Sequence, residues 1–319
     1  MKLHKIQKIV ILGLLIYIIF VFYYICKKEH YVTFLNPKES CKVIKENPYY
    51  FHSMSENDKQ ARQLTINYKN QPLAHYCSNF VNFTQNEKNI LKSLITKIQN
   101  NLLPSKHKFI KEYATNWNIS KISPSIEYGF PHTHQNTIFL SENAIHNDPR
   151  KVIITLLHEQ VHILQRKYPQ WFLNLYVNYW NFIKIKLDPE SKALIKKYHR
   201  NNPDGMDFEW AMKTSNGPVI LLAKYRNNNP SNLSVIEYVY CPLQKNEGLY
   251  SLKNPVTWEQ ILALDDFNEF YGITSNYYHP NEISAEIISY YFAEKMGLEY
   301  PYKKTRSYFK IDKWLHSIH

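Results

Sequence analysis

Apolar and polar positions in this chain follow two rhythms, one of about 3.6 residues and one of two, and each marks a different kind of element. The clearest helical stretch is DPRKVIITLLHEQVHILQRKY, Asp148 to Tyr168. Asp148 suits the N-cap, Pro149 fits the first helical position, and Pro169 forbids an unbroken continuation. Val152, Ile153, Leu156, Leu157, Val161, Ile163 and Leu164 cover more than one face, so the spacing predicts a largely buried helix of about five turns. A second helical rhythm runs through HPNEISAEIISYYFAEKMGL, with Pro280 near its start, Ile283, Ile287, Ile288, Tyr291 and Phe292 as its apolar positions, and Gly297 as its stop. A third begins at the capping box Thr84–Glu87 and places Ile90, Leu91, Leu94, Ile95, Ile98 and Leu102 on one face before Pro104.

The two-residue rhythm appears from Trp117 to Leu140, which reads as short strands ending in NTIFL just before the first helix, and again at Val219–Tyr225 and Ser234–Tyr240. Gln170 to Leu187 reads as an aromatic helix, followed by the polar turn HRNNPDG. Residues 27–83 are irregular and polar with scattered aromatics, the pattern of a stalk leading to a domain edge. Residues 84–319 then form one catalytic-sized domain with an insertion at about 170–275.

Residues 1–8 form a basic tail with Lys2, Lys5 and Lys8. They precede 18 uncharged residues, Ile9 to Cys26, and then Lys27 and Lys28. At 1.5 Å per residue this stretch covers about 27 Å, and no small-residue cleavage site follows it, so it reads as an uncleaved transmembrane anchor. The lysine balance places the remainder on the lumenal or extracellular side, which gives a single-pass membrane protein. Sequons at Asn82, Asn118 and Asn232 agree with that side without deciding it. Cys41, Cys77 and Cys241 allow at most one disulfide between them and no disulfide framework.

The net charge of +12 is spread over the sequence rather than gathered in an arm, so it describes a lysine-rich surface and no nucleic-acid partner is expected. The chemistry lies elsewhere. His158 and His162 are four apart on the first helix, so both imidazoles face one point at a spacing that suits zinc. Glu159 sits beside them, as the general base for a water activated by Zn2+ must. A third ligand has to come from outside this helix. Glu282, in the first turn of the second helix, is one source, with Glu286 a turn further on and placed to accept a hydrogen bond from the ring N–H of a ligating imidazole. Asp265, Asp266 and His279 compete with it. His132 and His134, two apart on a strand, read instead as loop or edge-strand histidines.

With HEQVH followed by NEISAE, the chain resembles the gluzincins, the thermolysin-like zinc metallopeptidases. The metzincin pattern is excluded, because Gln165 and Tyr168 stand where it needs Gly and His. The resemblance implies an α+β zincin-like domain, in which an active-site helix packs on a small mixed sheet and a second helix carries the third ligand. It implies His158, His162 and Glu282 as zinc ligands, Glu159 as the base and Glu286 behind the ligands. It also implies that Thr137, Ile138, Phe139 and Leu140 form a cleft-lining edge strand that pairs with a peptide or protein substrate. A departure is that such enzymes usually have Asp where Glu286 stands. The expected function is a membrane-anchored zinc metallopeptidase. A catalytically idle binding protein, or a basic anchor for nucleic acid or anionic lipid, fits the retained Glu159 less well. A partner for the oxyanion is required, with Arg200, Tyr240, Tyr277, Tyr278 and His279 as the candidates.

Overall fold

The computed structural model describes residues 32–64, 71–205 and 207–318. The first sheet runs β1 (Val32–Phe34), β3 (Trp117–Ile122), β5 (Thr137–Ser141), β4 (His132–His134), with β2 (Phe80–Val81) pairing the far end of β3. β1 and β5 lie parallel to β3, while β4 and β2 are antiparallel to their neighbours. The second sheet is an antiparallel meander of β6 (Phe182–Lys184), β7 (Trp210–Thr214), β8 (Gly217–Tyr225), β9 (Ile236–Asn246) and β10 (Leu249–Leu252), with β11 (Glu259–Gln260) also on β9.

Two helices link this framework to the chemistry. The motif helix, Pro149–Lys167, starts where the Asp148 side chain accepts from the Arg150 amide at 2.9 Å. The partner helix, Pro280–Lys295, is capped by His279, whose Nδ1 accepts from the Asn281 amide at 3.2 Å. They pack against each other in the largest core, which includes Leu156, Leu157, Val161, Ile283, Ile287 and Phe292, all essentially inaccessible. Each such side chain contributes about 1.5–3 kcal/mol by leaving water, so the helix pair is among the most firmly held parts of the molecule.

The expected layout, a transmembrane anchor followed by an α+β zincin-like domain, is corrected to a mixed α/β arrangement with two sheets. Among the described residues no helix is long and apolar enough to cross a membrane. The motif helix has nearly the needed length, but it carries Arg150, Lys151, Glu159, Arg166 and Lys167, which a lipid interior does not accept. The stretch 9–26 and the basic tail 1–8 lie outside the described residues, and the single-pass localisation drawn from them is not carried further.

Two smaller expectations change as well, while that of at most one disulfide agrees with the structure. The supposed stalk is folded: β1 enters the first sheet, and short helices at Pro37–Glu46, Tyr49–Ser53, Glu56–Ala61 and Pro72–Ser78 follow it. Each helix buries only a few residues, such as Ile44, Tyr50 and Phe51, which is why no long apolar rhythm announced them. Cys41 and Cys77 join the first and last of these helices as a disulfide, and Cys241 is free and buried. The helix expected over Gln170–Leu187 ends at Asn174, continues as a π-turn over Leu175–Tyr179, and gives way to β6, where pairing with β7 outweighs helical propensity.

Thr137–Leu140 is not an edge. β5 is paired with β3 on one side and β4 on the other, and all of its residues are buried. β4 is the outer strand on this side of the sheet, and it too is partly closed. The Thr133 amide donates to Asp204 at 3.1 Å, and the Gln135 carbonyl accepts from Arg166 at 3.0 Å. Two of the main-chain groups that a substrate strand would need there are already engaged.

Candidate metal centre

The motif and partner helices bring three donor atoms together. His158 Nε2 lies 3.1 Å from His162 Nε2 and 3.4 Å from Glu282 Oε2, and His162 Nε2 is 3.7 Å from the same oxygen. Ligand atoms about 2.0–2.1 Å from a tetrahedral zinc ion are about 3.3–3.4 Å apart, so the triangle has the size such an ion requires. All three residues are buried.

Neighbouring groups fix which ring nitrogens carry protons. Gln165 Nε2 donates to the Asn281 carbonyl at 2.8 Å and to Ser284 Oγ at 2.9 Å, which turns its Oε1 towards His162 Nδ1 at 2.8 Å. His162 Nδ1–H therefore donates, and its Nε2 presents a lone pair. His158 Nδ1 faces Glu286 Oε2 at 3.5 Å, so it too holds its proton on the side away from His162. Glu286 is steadied by Asn276 at 3.0 Å and by the Tyr302 hydroxyl. Asn202 Nδ2 donates to Glu282 Oε1 at 2.7 Å, which leaves Oε2 for the histidines. Two imidazole lone pairs and a carboxylate oxygen thus converge on one point, an arrangement that repels itself unless a cation or an extra proton sits there.

The electrostatics express the same pull. Burial disfavours a charged His158, but Glu282 and Glu286 raise its pKa well above the ordinary histidine value. Burial likewise opposes His162, and Asp204 and Glu282 raise it. Against burial, His162 and His158 hold the Glu282 carboxyl well below the usual range, and His158 lowers Glu286. Glu159 differs. Burial pushes it up to about 7, His158 opposes that, and Asp204 reinforces it. Its Oε2 is buried with no hydrogen-bond partner, and the residue lines the cleft.

Two other clusters among the described residues have metal-like spacing, and local cations already balance both. In Glu159–His162–Asp204, Asp204 is held by Arg166 at 2.8 Å and by Thr133. In Glu87–Glu142–His146, Lys121 sits 2.6 Å from Glu87. Asp265, Asp266 and His279 are not in the centre: Asp266 binds Ser215, and His279 caps the partner helix and faces Asp207 at 3.5 Å. His132 and His134 lie on the edge strand against Phe139, and burial holds the His134 ring down to about 3, hence neutral.

The centre opens into a cleft of about 570 Å³. Of the residues considered for the oxyanion, Arg200 and Tyr278 line it, with Arg200 Nη2 3.3 Å from the Tyr278 hydroxyl. Tyr240 is bound to Glu259 at 2.6 Å, and Tyr277 packs against Tyr238. Tyr238, stacked on Tyr278 at 5.2 Å, is a cleft residue that sequence reasoning missed. So are Asn202, Asp204 and Asn276, and Tyr302, which meets Glu286 from behind, was missed too, because isolated Asn, Asp and Tyr in loops carry no periodic signal. Gln165 was noticed only as a departure from another pattern, yet it orients His162.

One rim of the cleft is built under strain. Glu127, Tyr128 and Gly129 are consecutive left-handed residues, with φ of +46°, +58° and +75°, and the two non-glycine residues each cost about 1–3 kcal/mol. The turn is held because Arg62 grips both Glu127 oxygens at 2.9 Å, while Tyr50 and Tyr76 add their hydroxyls. It leads directly into Phe130 and Pro131 at the cleft mouth.

In comparisons with known proteins, no protein-family model, no curated protein and no solved structure matches this chain.

Proposed function

We propose that this chain is a zinc-dependent peptidase of the gluzincin kind, with His158, His162 and Glu282 as ligands and Glu159 as general base. The observation that carries this reading is the donor triangle whose two histidine tautomers are fixed from behind by Gln165 and Glu286. When bound, zinc would acidify water and polarise a peptide carbonyl as a Lewis acid.

The chain's own groups account for the rest. Glu159, with a free buried oxygen and a carboxyl raised to about 7, takes a proton from the water whose oxygen attacks the carbonyl carbon. The same proton is then available to the departing amine as the C–N bond breaks. Arg200 and Tyr278 lie on the cleft wall, where developing negative charge on the carbonyl oxygen needs a donor. With β4 engaged by Asp204 and Arg166, long strand addition does not hold the substrate. Binding falls to the cleft side chains, including Phe130, Ile154 and Tyr238.

Metal analysis of the purified full chain, combined with a peptide-library cleavage assay of wild type and Glu159→Gln, tests this reading. One zinc per chain in both proteins, with cleavage only in wild type, is expected. Absence of stoichiometric zinc, or equal cleavage by the variant, refutes it.

A further inference from the structure

A second cavity, of about 770 Å³, shares the 199–205 loop with the metal cleft. Arg200, Asn202 and Asp204 line the cleft, His199 lines the second cavity, and Asn201 lines both. The second cavity plays no part in the hydrolysis proposed above. Its charge is lopsided. Five lysines face three carboxylates, of which Asp58 already has Arg62 at 3.2 Å and Glu209 has Lys184 at 2.9 Å, while Asp207 faces the His279 ring at 3.5 Å.

That leaves Lys186, Lys192, Lys196 and Lys245, none of which has a carboxylate within ion-pair distance among the described residues. They come from three separate stretches. Lys186 follows β6, Lys192 and Lys196 stand on successive turns of the helix Pro189–Tyr198, and Lys245 belongs to β9 and lies over the Tyr250 ring at 5.7 Å. All four are exposed, and where surface lysines normally spread apart or pair with acids, the tertiary fold gathers these around one concavity. Tyr49, Phe208 and Tyr250 supply ring faces in the same wall, and buried His199 lines it with ring nitrogens that meet no hydrogen-bonding side chain. A volume of several hundred cubic ångströms is the size at which proteins enclose small molecules.

We propose that this cavity binds a small, multiply charged anion, recognised through its phosphate or carboxylate oxygens by Lys186, Lys192, Lys196 and Lys245. Single-charge ions would leave most of the lysine repulsion in place; a ligand with three or more anionic groups neutralises it at one stroke.

Isothermal titration of the full chain with inorganic tripolyphosphate and, separately, with citrate at fixed ionic strength tests the assignment. It also distinguishes a phosphate from a carboxylate ligand. Saturable one-to-one binding of at least one probe is expected, and Lys192→Glu combined with Lys196→Glu should weaken it roughly tenfold or more. Lys92→Glu, at an exposed position on the helix Gln85–Leu102 and outside the cavity lining, should leave it unchanged. Should the double variant fail to fold, Lys186→Gln and Lys245→Gln, both at exposed positions, provide the same comparison. No saturable binding of either probe overturns the proposal, as does equal weakening by Lys92→Glu.

Discussion

The two sides of the candidate metal centre are built in opposite ways. On one side, the motif and partner helices present His158, His162, Glu282 and Glu286 from regular backbone, and an apolar core locks the pair together. On the other side, the wall is made of the 199–205 loop, the three-residue strand β4 and the strained turn at Glu127–Gly129, with little regular structure between them. Side chains that reach across the molecule hold them: Arg62 to Glu127 and to the Asn201 carbonyl at 2.7 Å, Arg166 to Asp204, and Asn202 to Glu282. The helices supply atoms for chemistry, and the loops adjust those atoms and shape what reaches them. Rigid periodic elements suit groups that must share one point, whereas loops can collect residues that are distant in sequence.

The helix side should break most sharply. Glu159→Gln removes the only proton acceptor proposed there, so peptide cleavage should fall by about 10²–10⁴-fold while bound zinc and the melting temperature stay near wild type. Steady-state kinetics beside metal analysis would show this, and loss of zinc in the variant would count against the assigned role. Glu282→Ala should instead release the metal, with Asp265→Ala retaining it, as competition with a chromophoric chelator would reveal.

On the loop side, the largest effect expected is on stability. Arg62→Met leaves Glu127 buried without its cation and should cost about 3–5 kcal/mol in urea denaturation. The pH dependence follows from the same pair. Burial alone would raise the Glu127 carboxyl, but Arg62 outweighs it and holds it at about 2, below its unfolded value. Its contribution is therefore complete above the unfolded carboxylate pKa and is lost as pH falls towards about 2, a loss of roughly 3 kcal/mol. In Glu127→Gln that part of the acid unfolding curve should flatten. An unchanged curve would show that the pair does not govern the rim.

The smallest effects should come from residues that only steady the ligands. Asn202→Ala and Gln165→Leu should each lower zinc affinity by about 10–100-fold without abolishing binding, because Glu282 and His162 keep their place but lose orientation. A loss as complete as that of Glu282→Ala would mean that the loop side is as essential to the metal as the helix side.

Much of the helix side was legible in the chain itself. A four-residue spacing fixes a common face wherever a helix forms, and capping residues and apolar periodicity announce both helices. That is why His158, Glu159, His162, Glu282 and Glu286 could be singled out before any coordinates. Strands β8 and β9 showed through for a similar reason, their alternation being local. What the sequence could not determine is whatever depends on contact between distant residues. β5 is buried between two strands rather than lying at the edge, because sheet order is set by packing and not by any one strand's pattern. The short helices of residues 37–78 are tied to one another by Cys41–Cys77 and to the rest of the molecule by the Arg62–Glu127 pair. Asn202 and Asp204 reach the centre because a polar loop is pinned over it, and Lys186, Lys192, Lys196 and Lys245 share a cavity because three separate stretches converge. Periodicity records the forces that each element feels along its own length. Tertiary structure alone decides which elements meet.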